Sequence, residues 1–92
     1  MNMPAARDGE DRPRLHRGFR MQWEEAQDAH VLLYPEGMVR LNRPAAEILK
    51  RCDGARSIDE IIESLERDFG TSGLRGDVLG FLAHAREKGW LA

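Results

Sequence analysis

The chain has little of what chemistry at an active centre usually requires. Its 92 residues include one cysteine, one tyrosine and three histidines. With Cys52 alone there is no intramolecular disulfide and no Cys-x-x-Cys metal or redox pair, so a reducing compartment, the cytoplasm, is the expected setting. No apolar run approaches the ~18 residues of a membrane helix, and no membrane association is expected. The opening MNMPAARDGEDRPRLHRG lacks an uninterrupted apolar stretch and carries acidic residues, which speaks against a secretory signal or a transit peptide. No charge sign dominates either, since 14 Lys and Arg stand against 16 Asp and Glu.

Convergent reactive groups are missing as well. His16, His30 and His84 lack the short spacings of zinc ligands, so no metal and no cofactor is expected. Cys52 falls on the apolar stripe of a predicted helix and reads as a small buried hydrophobe rather than a nucleophile. The glycines of GTSGLRGDVLG have neither the preceding strand nor the lysine of a phosphate cradle, and helix stop and start signals explain them better. The chain is therefore not expected to be an enzyme. Three helices beside a small sheet raise a winged-helix DNA-binding regulator as a rival, but from Phe19 onward 10 Lys and Arg face 13 Asp and Glu. Affinity for nucleic acid depends mainly on cations meeting phosphates, so no nucleic-acid partner is expected.

What is present is a well-punctuated small domain. Residues 1–17 are polar and proline-containing and read as a flexible N-terminal tail whose deletion would leave the melting temperature nearly unchanged. The domain is assigned to residues 18–92. FRMQWEE alternates as a half-buried strand, AQDA turns, HVLLY is a second strand, Tyr34-Pro35-Glu36-Gly37 a type I turn and MVRLN a third strand. A three-residue hairpin loop would set Tyr34 opposite Met38 and Val31 opposite Leu41. Val31, Leu33, Val39 and Leu41 would then face the core, with Leu32, Tyr34 and Met38 outside. That outer face is more apolar than a solvated one needs to be. If Phe19, Met21 and Trp23 join it, a twofold dimer buries it; if they join the core, only a small patch is left for a partner. An interaction-only subunit built into an oligomer through this face is the second rival.

Three helices follow. The first carries Ala45, Ile48, Leu49 and Cys52 on one stripe, with Asn42 as cap and Pro44 in the first turn. The second opens with the capping box Ser57-Ile58-Asp59-Glu60 and lines Ile58, Ile61, Ile62, Leu65 and Phe69 along one face before Gly70. The third spans about Gly73 to Lys88 over Leu74, Val78, Phe81, Leu82 and Ala85, with Gly89 as a left-handed cap and Trp90 as a closing plug. The acidic residues Asp59, Glu60, Glu63, Glu66 and Asp68 of the second helix form either a solvated face or a docking patch for a basic partner. Beside the core stripe of the third helix runs a row of Arg75, Leu79, Leu82 and Arg86. It is either a solvated flank or one wall of a groove for an extended acidic peptide. In a simple meander the third strand is an edge and would form the other wall.

LLYPEGMVRLN, the AAEIL helix, DGARSIDEI and FLAHAREKGWL resemble the D protein family of pyrroloquinoline quinone biosynthesis, a group of precursor-peptide recognition elements in ribosomal peptide modification. The similarity runs from about Phe19 to the C-terminus, and YPEG, LN, DG and GW at these separations make it specific. The resemblance implies an α+β, winged helix-turn-helix-like fold: a three-stranded antiparallel sheet followed by three helices. It also implies a non-catalytic peptide chaperone and adaptor that holds the precursor peptide and presents it to the radical S-adenosylmethionine enzyme of the pathway. In related recognition elements the leader peptide joins the third strand and lies against the third helix. That implies Met38, Val39, Arg40 and Leu41 on the strand and the Arg75, Leu79, Leu82, Arg86 row on the helix as the peptide-binding set. Pairing of the two arginines with peptide carboxylates is a physical expectation and not a family motif.

Overall fold

The computed structural model describes residues 11–92. Along the chain run β1 (Arg20–Glu24), a 3-10 turn (Glu25–Gln27), β2 (Ala29–Tyr34), β3 (Gly37–Arg40), α1 (Arg43–Lys50), α2 (Ile58–Phe69) and α3 (Arg75–Glu87). The architecture is α+β, three antiparallel strands in the order β1-β2-β3 followed by three helices.

The β2–β3 hairpin closes one residue tighter than its sequence suggests. Tyr34 pairs with Gly37, Leu33 with Met38, Leu32 with Val39 and Val31 with Arg40, so the loop is only Pro35-Glu36. Two-residue hairpin loops normally use positive φ in the loop, which Pro35 cannot adopt. The structure closes the turn without it, for Asp28 is the one described non-glycine residue with positive φ. A slip of one residue exchanges the faces of a strand. Met21, Leu32 and Val39 accordingly form one cross-strand row on the core. The expected outer position of Leu32 is thus corrected, because Leu32 is fully buried and offers no surface to a second copy. Tyr34 is half-buried and packs on the Phe19 ring, with centroids 5.3 Å apart, leaving Met38 as the exposed member of the set proposed for a dimer. Of the three residues on which the dimer expectation turned, Phe19 and Met21 pack against the core and Trp23 stands 49% exposed. Val39 and Leu41 do face inward as expected, and Val31 is buried although its ladder neighbours are Gln22 and Arg40.

The helix ends follow local chemistry. The Asn42 side chain accepts the Ala45 N–H at 2.9 Å, with Pro44 in the first turn of α1. At α2 the Ser57 hydroxyl accepts the Glu60 N–H at 3.1 Å while the Glu60 carboxylate accepts the Ser57 N–H at 2.8 Å, the reciprocal capping box. Gly89 ends α3 in the left-handed region at φ 79°, and the next residue, Trp90, turns back so that its N–H reaches the Ala85 carbonyl at 2.9 Å and its ring is buried. Leu32 and Leu41 of the sheet meet Ile48 and Leu49 of α1, Ile61 and Leu65 of α2, and Val78, Leu82 and Ala85 of α3 in one core. Phe69 departs from expectation, standing 43% exposed at the end of the α2 stripe.

A guanidinium ties α1 to α2. Arg51 donates to the Glu47 carbonyl and carboxylate at 2.8 and 2.9 Å, to the Ser64 hydroxyl at 2.9 Å and to the Asp68 carboxylate at 2.7 Å. These bonds hold the Glu47 carboxyl below its ordinary value of 4.5 and Asp68 likewise below its usual range.

The N-terminal segment corrects the tail assignment. Residues 11–17 do not hang free: Arg14 forms an antiparallel bridge with Asp53, and Leu15 one with Leu91. The Asp11 carbonyl accepts the Ile58 N–H at 3.2 Å and the Pro13 carbonyl the Gly54 N–H at 3.0 Å, while the His16 N–H reaches the Trp90 carbonyl at 2.8 Å. Arg12 donates to the Ala55 carbonyl and to Glu60, Pro13 is fully buried, and Leu15 packs on the core. Main-chain pairing of this kind is blind to side-chain polarity, which is why composition did not reveal it. The packed domain therefore includes residues 11–17, and the rest of the assigned tail, residues 1–10, lies outside the described residues.

Two outcomes are expected. A chain beginning at residue 18 should melt roughly 10 °C below one beginning at residue 11, from the loss of about 2 kcal/mol of apolar burial and ladder bonds, as calorimetry would reveal. Because the Glu47 and Asp68 values are depressed on folding, their contribution is complete above the ordinary carboxyl range and is lost as pH falls below that range and through the lowered folded values. Glu47→Gln should consequently show a smaller drop in urea midpoint between pH 6 and pH 3 than the parent; equal drops would refute the assignment.

Candidate functional site

With the order β1-β2-β3, no other strand among the described residues pairs with the outer edge of β3. Along that edge lies a groove of about 510 Å³. Its strand wall is Val39 and Arg40 with Leu41 and the α1 cap Asn42 just beyond, and its helix wall is Asp77, Phe81 and His84 of α3, with Pro44, Ala45 and Ile48 of α1 and Trp90 completing the lining. The helix wall is braced by its rings. His84 stands edge-on to Trp90 at 5.5 Å between centroids, and Phe81 lies 6.3 Å from Trp90. Since Trp90 is fixed by the α3 terminus, the wall is preorganised.

Three of the four strand residues expected at the site, Val39, Arg40 and Leu41, line this groove. Met38 is 45% exposed on β3, on the face opposite to Val39. The helical row does not reach the groove. Successive helical residues turn by about 100°, so Asp77, Phe81 and His84 share a flank roughly opposite the Arg75, Leu79, Leu82, Arg86 row. Leu82 is 1% exposed and belongs to the core, with Leu79 packed beside it. Arg75 donates to Asp59 of α2 at 2.6 Å, and Arg86 to Asp11 of the N-terminal segment at 2.5 Å. Both flanks of α3 carry helical periodicity, and the sequence does not say which of them meets the sheet. Phe81 and Trp90, which the sequence places in the core and as the closing plug, also form the groove wall, a second role that helical periodicity does not show.

The acidic helix is also explained. Asp59 pairs with Arg75, Glu60 closes the capping box, Glu66 accepts the Leu74 N–H at 3.0 Å at the start of α3, and Asp68 holds Arg51. Four of its five acids thus serve the fold, which favours the structural over the docking reading. Cys52 is buried with its thiol against the Ile48 carbonyl at 3.4 Å, and burial pushes its pKa up to about 12, far from a reactive thiolate. Among the described residues no group of three or more His, Cys, Asp or Glu could hold a metal ion, and no helix is long and apolar enough to cross a membrane.

Residues 29–91 match the family model described as coenzyme PQQ synthesis protein D (PqqD). This chain belongs to the PqqD family. It is 57% identical over 82 residues to the PqqA binding protein of Azotobacter vinelandii, covering 88% of this chain and 89% of that one. It is 50% identical over 73 residues to the PqqA binding protein of Methylococcus capsulatus, covering 79% and 78%. Its fold matches the solution NMR structure of the PqqD truncation of Methylobacterium extorquens PqqCD with a TM-score of 0.77, 34% identity and 95% coverage of both chains. That protein is a functional, stand-alone recognition element for ribosomally synthesised and post-translationally modified peptides. The family match begins at Ala29, the first residue of β2, and takes in both walls of the groove in this PqqD-family chain.

The arginine row generates a stability prediction. Arg75→Glu and Arg86→Glu each replace an exposed ion pair by a like-charge contact, so each should cost about 0.5–1 kcal/mol in urea denaturation while the fold is retained. A loss several times larger would assign these residues a deeper structural role.

Proposed function

We propose that the protein is a non-catalytic adaptor which takes an extended precursor peptide, the PqqA chain its relatives are named for binding, as a fourth strand on β3. It then presents this peptide to the radical S-adenosylmethionine enzyme of the pathway. The observation that carries the reading is a strand edge, unpaired among the described residues, that faces a braced aromatic wall across an open groove. Strand addition satisfies the N–H and C=O groups of that edge without demanding any one peptide sequence, and side chains supply the selection.

The pleat divides the peptide's side chains into two sets. One set points between Val39, Leu41 and Phe81, and the alternate set lies beside Met38 and Arg40. Arg40 is exposed and makes no ion pair with any described residue, whereas Arg75 and Arg86 are both engaged within the chain. Arg40 is therefore the cation we assign to a peptide carboxylate, in place of the α3 arginines. A cytoplasmic setting goes with this role and with a lone reduced cysteine.

Titration of isotopically labelled protein with the cognate synthetic PqqA peptide tests the reading. Resonance shifts should concentrate on β3 and on the Asp77, Phe81, His84 flank of α3, and their absence from both would overturn it. By calorimetry Arg40→Glu should weaken the peptide by about 1–3 kcal/mol, and Arg86→Glu should leave its affinity unchanged. Tight, salt-sensitive binding of random duplex DNA would point instead to a regulator.

A further inference from the structure

The β3–α3 groove does not end at β3. Pro44, Ile48 and Asp77 of its lining also line a second opening, a cavity of about 400 Å³. Its wall is apolar and drawn from all three helices: Ile48 from α1, Leu65 and Phe69 from α2, Leu74 just before α3 and Val78 within it. At the rim the Arg43 guanidinium lies 5.4 Å from the centre of the Phe69 ring. Phe69 is the member of the α2 stripe that the core leaves out, 43% exposed beside an apolar hollow. A phenyl ring so placed leaves a large part of its apolar surface uncovered beside a hollow that could cover it.

We propose that this cavity is an anchor subsite for one large apolar side chain, aliphatic or aromatic, of the same peptide that pairs with β3, carried just outside the paired segment. The inference rests on the peptide reading and extends it. Continuity identifies the occupant. Arg40 ends the β3 ladder, and Arg43 at the cavity rim is three residues on, so their Cα atoms are within about 11 Å of each other. An extended peptide leaving β3 at Arg40 covers that span with about three residues of its own. Phe69 and the stem of Arg43 then close over the inserted side chain, and the preceding strand pairing supplies the register that brings it there. Selection by this subsite is for size and apolarity. It complements the carboxylate contact at Arg40 and confines recognition to peptides with both features at the right separation.

Methyl-labelled protein titrated with the cognate synthetic PqqA peptide provides the test, together with calorimetry on Phe69→Ala. The Ile48, Leu65, Leu74 and Val78 methyls should shift along with Val39 and Leu41, and Phe69→Ala should weaken binding roughly tenfold. Because Phe69 is half outside the core, the variant is expected to keep its melting temperature; if it does not, the methyl shifts of the parent protein decide. Shifts at Val39 and Leu41 with none at the cavity methyls would overturn the subsite and leave the peptide reading intact. No shift at either place would overturn both. Perturbation of the cavity by the radical enzyme and not by the peptide would likewise defeat this proposal.

Discussion

The pairing of Leu32 with Val39 on one side and Met21 on the other is the constraint from which the site follows. It seats the fully buried Leu32 on the helices and turns the Leu33 and Met38 row outward. A hairpin one residue looser would invert β2, withdraw Leu32 from the core and expose a broader apolar face. With the observed pairing, Val39 and Leu41 remain inward at the very edge of the sheet. A strand arriving at that edge finds apolar side chains on the groove side and Met38 and Arg40 on the other. The register thus sets at once what holds the sheet to the helices and what the free edge can read.

The opposite wall depends on chain ends. Trp90 is fixed by the turn at Gly89 and supports both Phe81 and His84, while its carbonyl accepts the His16 N–H from the N-terminal segment. That segment also reaches the α1–α2 connection through Pro13 and Arg14. Residues 11–17 therefore join the two ends of the helical layer, and the aromatic wall is steadied by parts of the chain remote from it in sequence. In so small a domain, where the core is thin, such main-chain stitching is a substantial share of the whole.

Charge has a matching division of labour. Acids on α2 are occupied by the capping box, by the start of α3 and by Arg51 and Arg75, so the most acidic stretch of the sequence is an internal framework. Arg40, by contrast, is left without a described ion-pair partner at the strand edge. Counting charges along the chain would give the opposite emphasis, since the value of an ion for recognition lies in whether it is already satisfied.

The sequence by itself determined the features that close within a few residues. Asn42, the Ser57 and Glu60 box, Gly70 and Gly89 mark helix ends because caps are local hydrogen bonds, and the strand and helix periods of the core are local as well. The family motifs were legible for the same reason, being fixed punctuation at fixed separations. Only the tertiary structure decided the hairpin register, because both faces of β2 are apolar and one residue of loop separates two pairings. It alone decided which flank of α3 faces the sheet: the Arg75 row and the Asp77, Phe81, His84 row are equally periodic, and the path of α2 and of residues 11–17 assigns the first to Asp59 and Asp11. It also bound a polar N-terminal segment that composition marked as loose, for backbone pairing needs geometry and a partner strand, neither of which a local sequence contains.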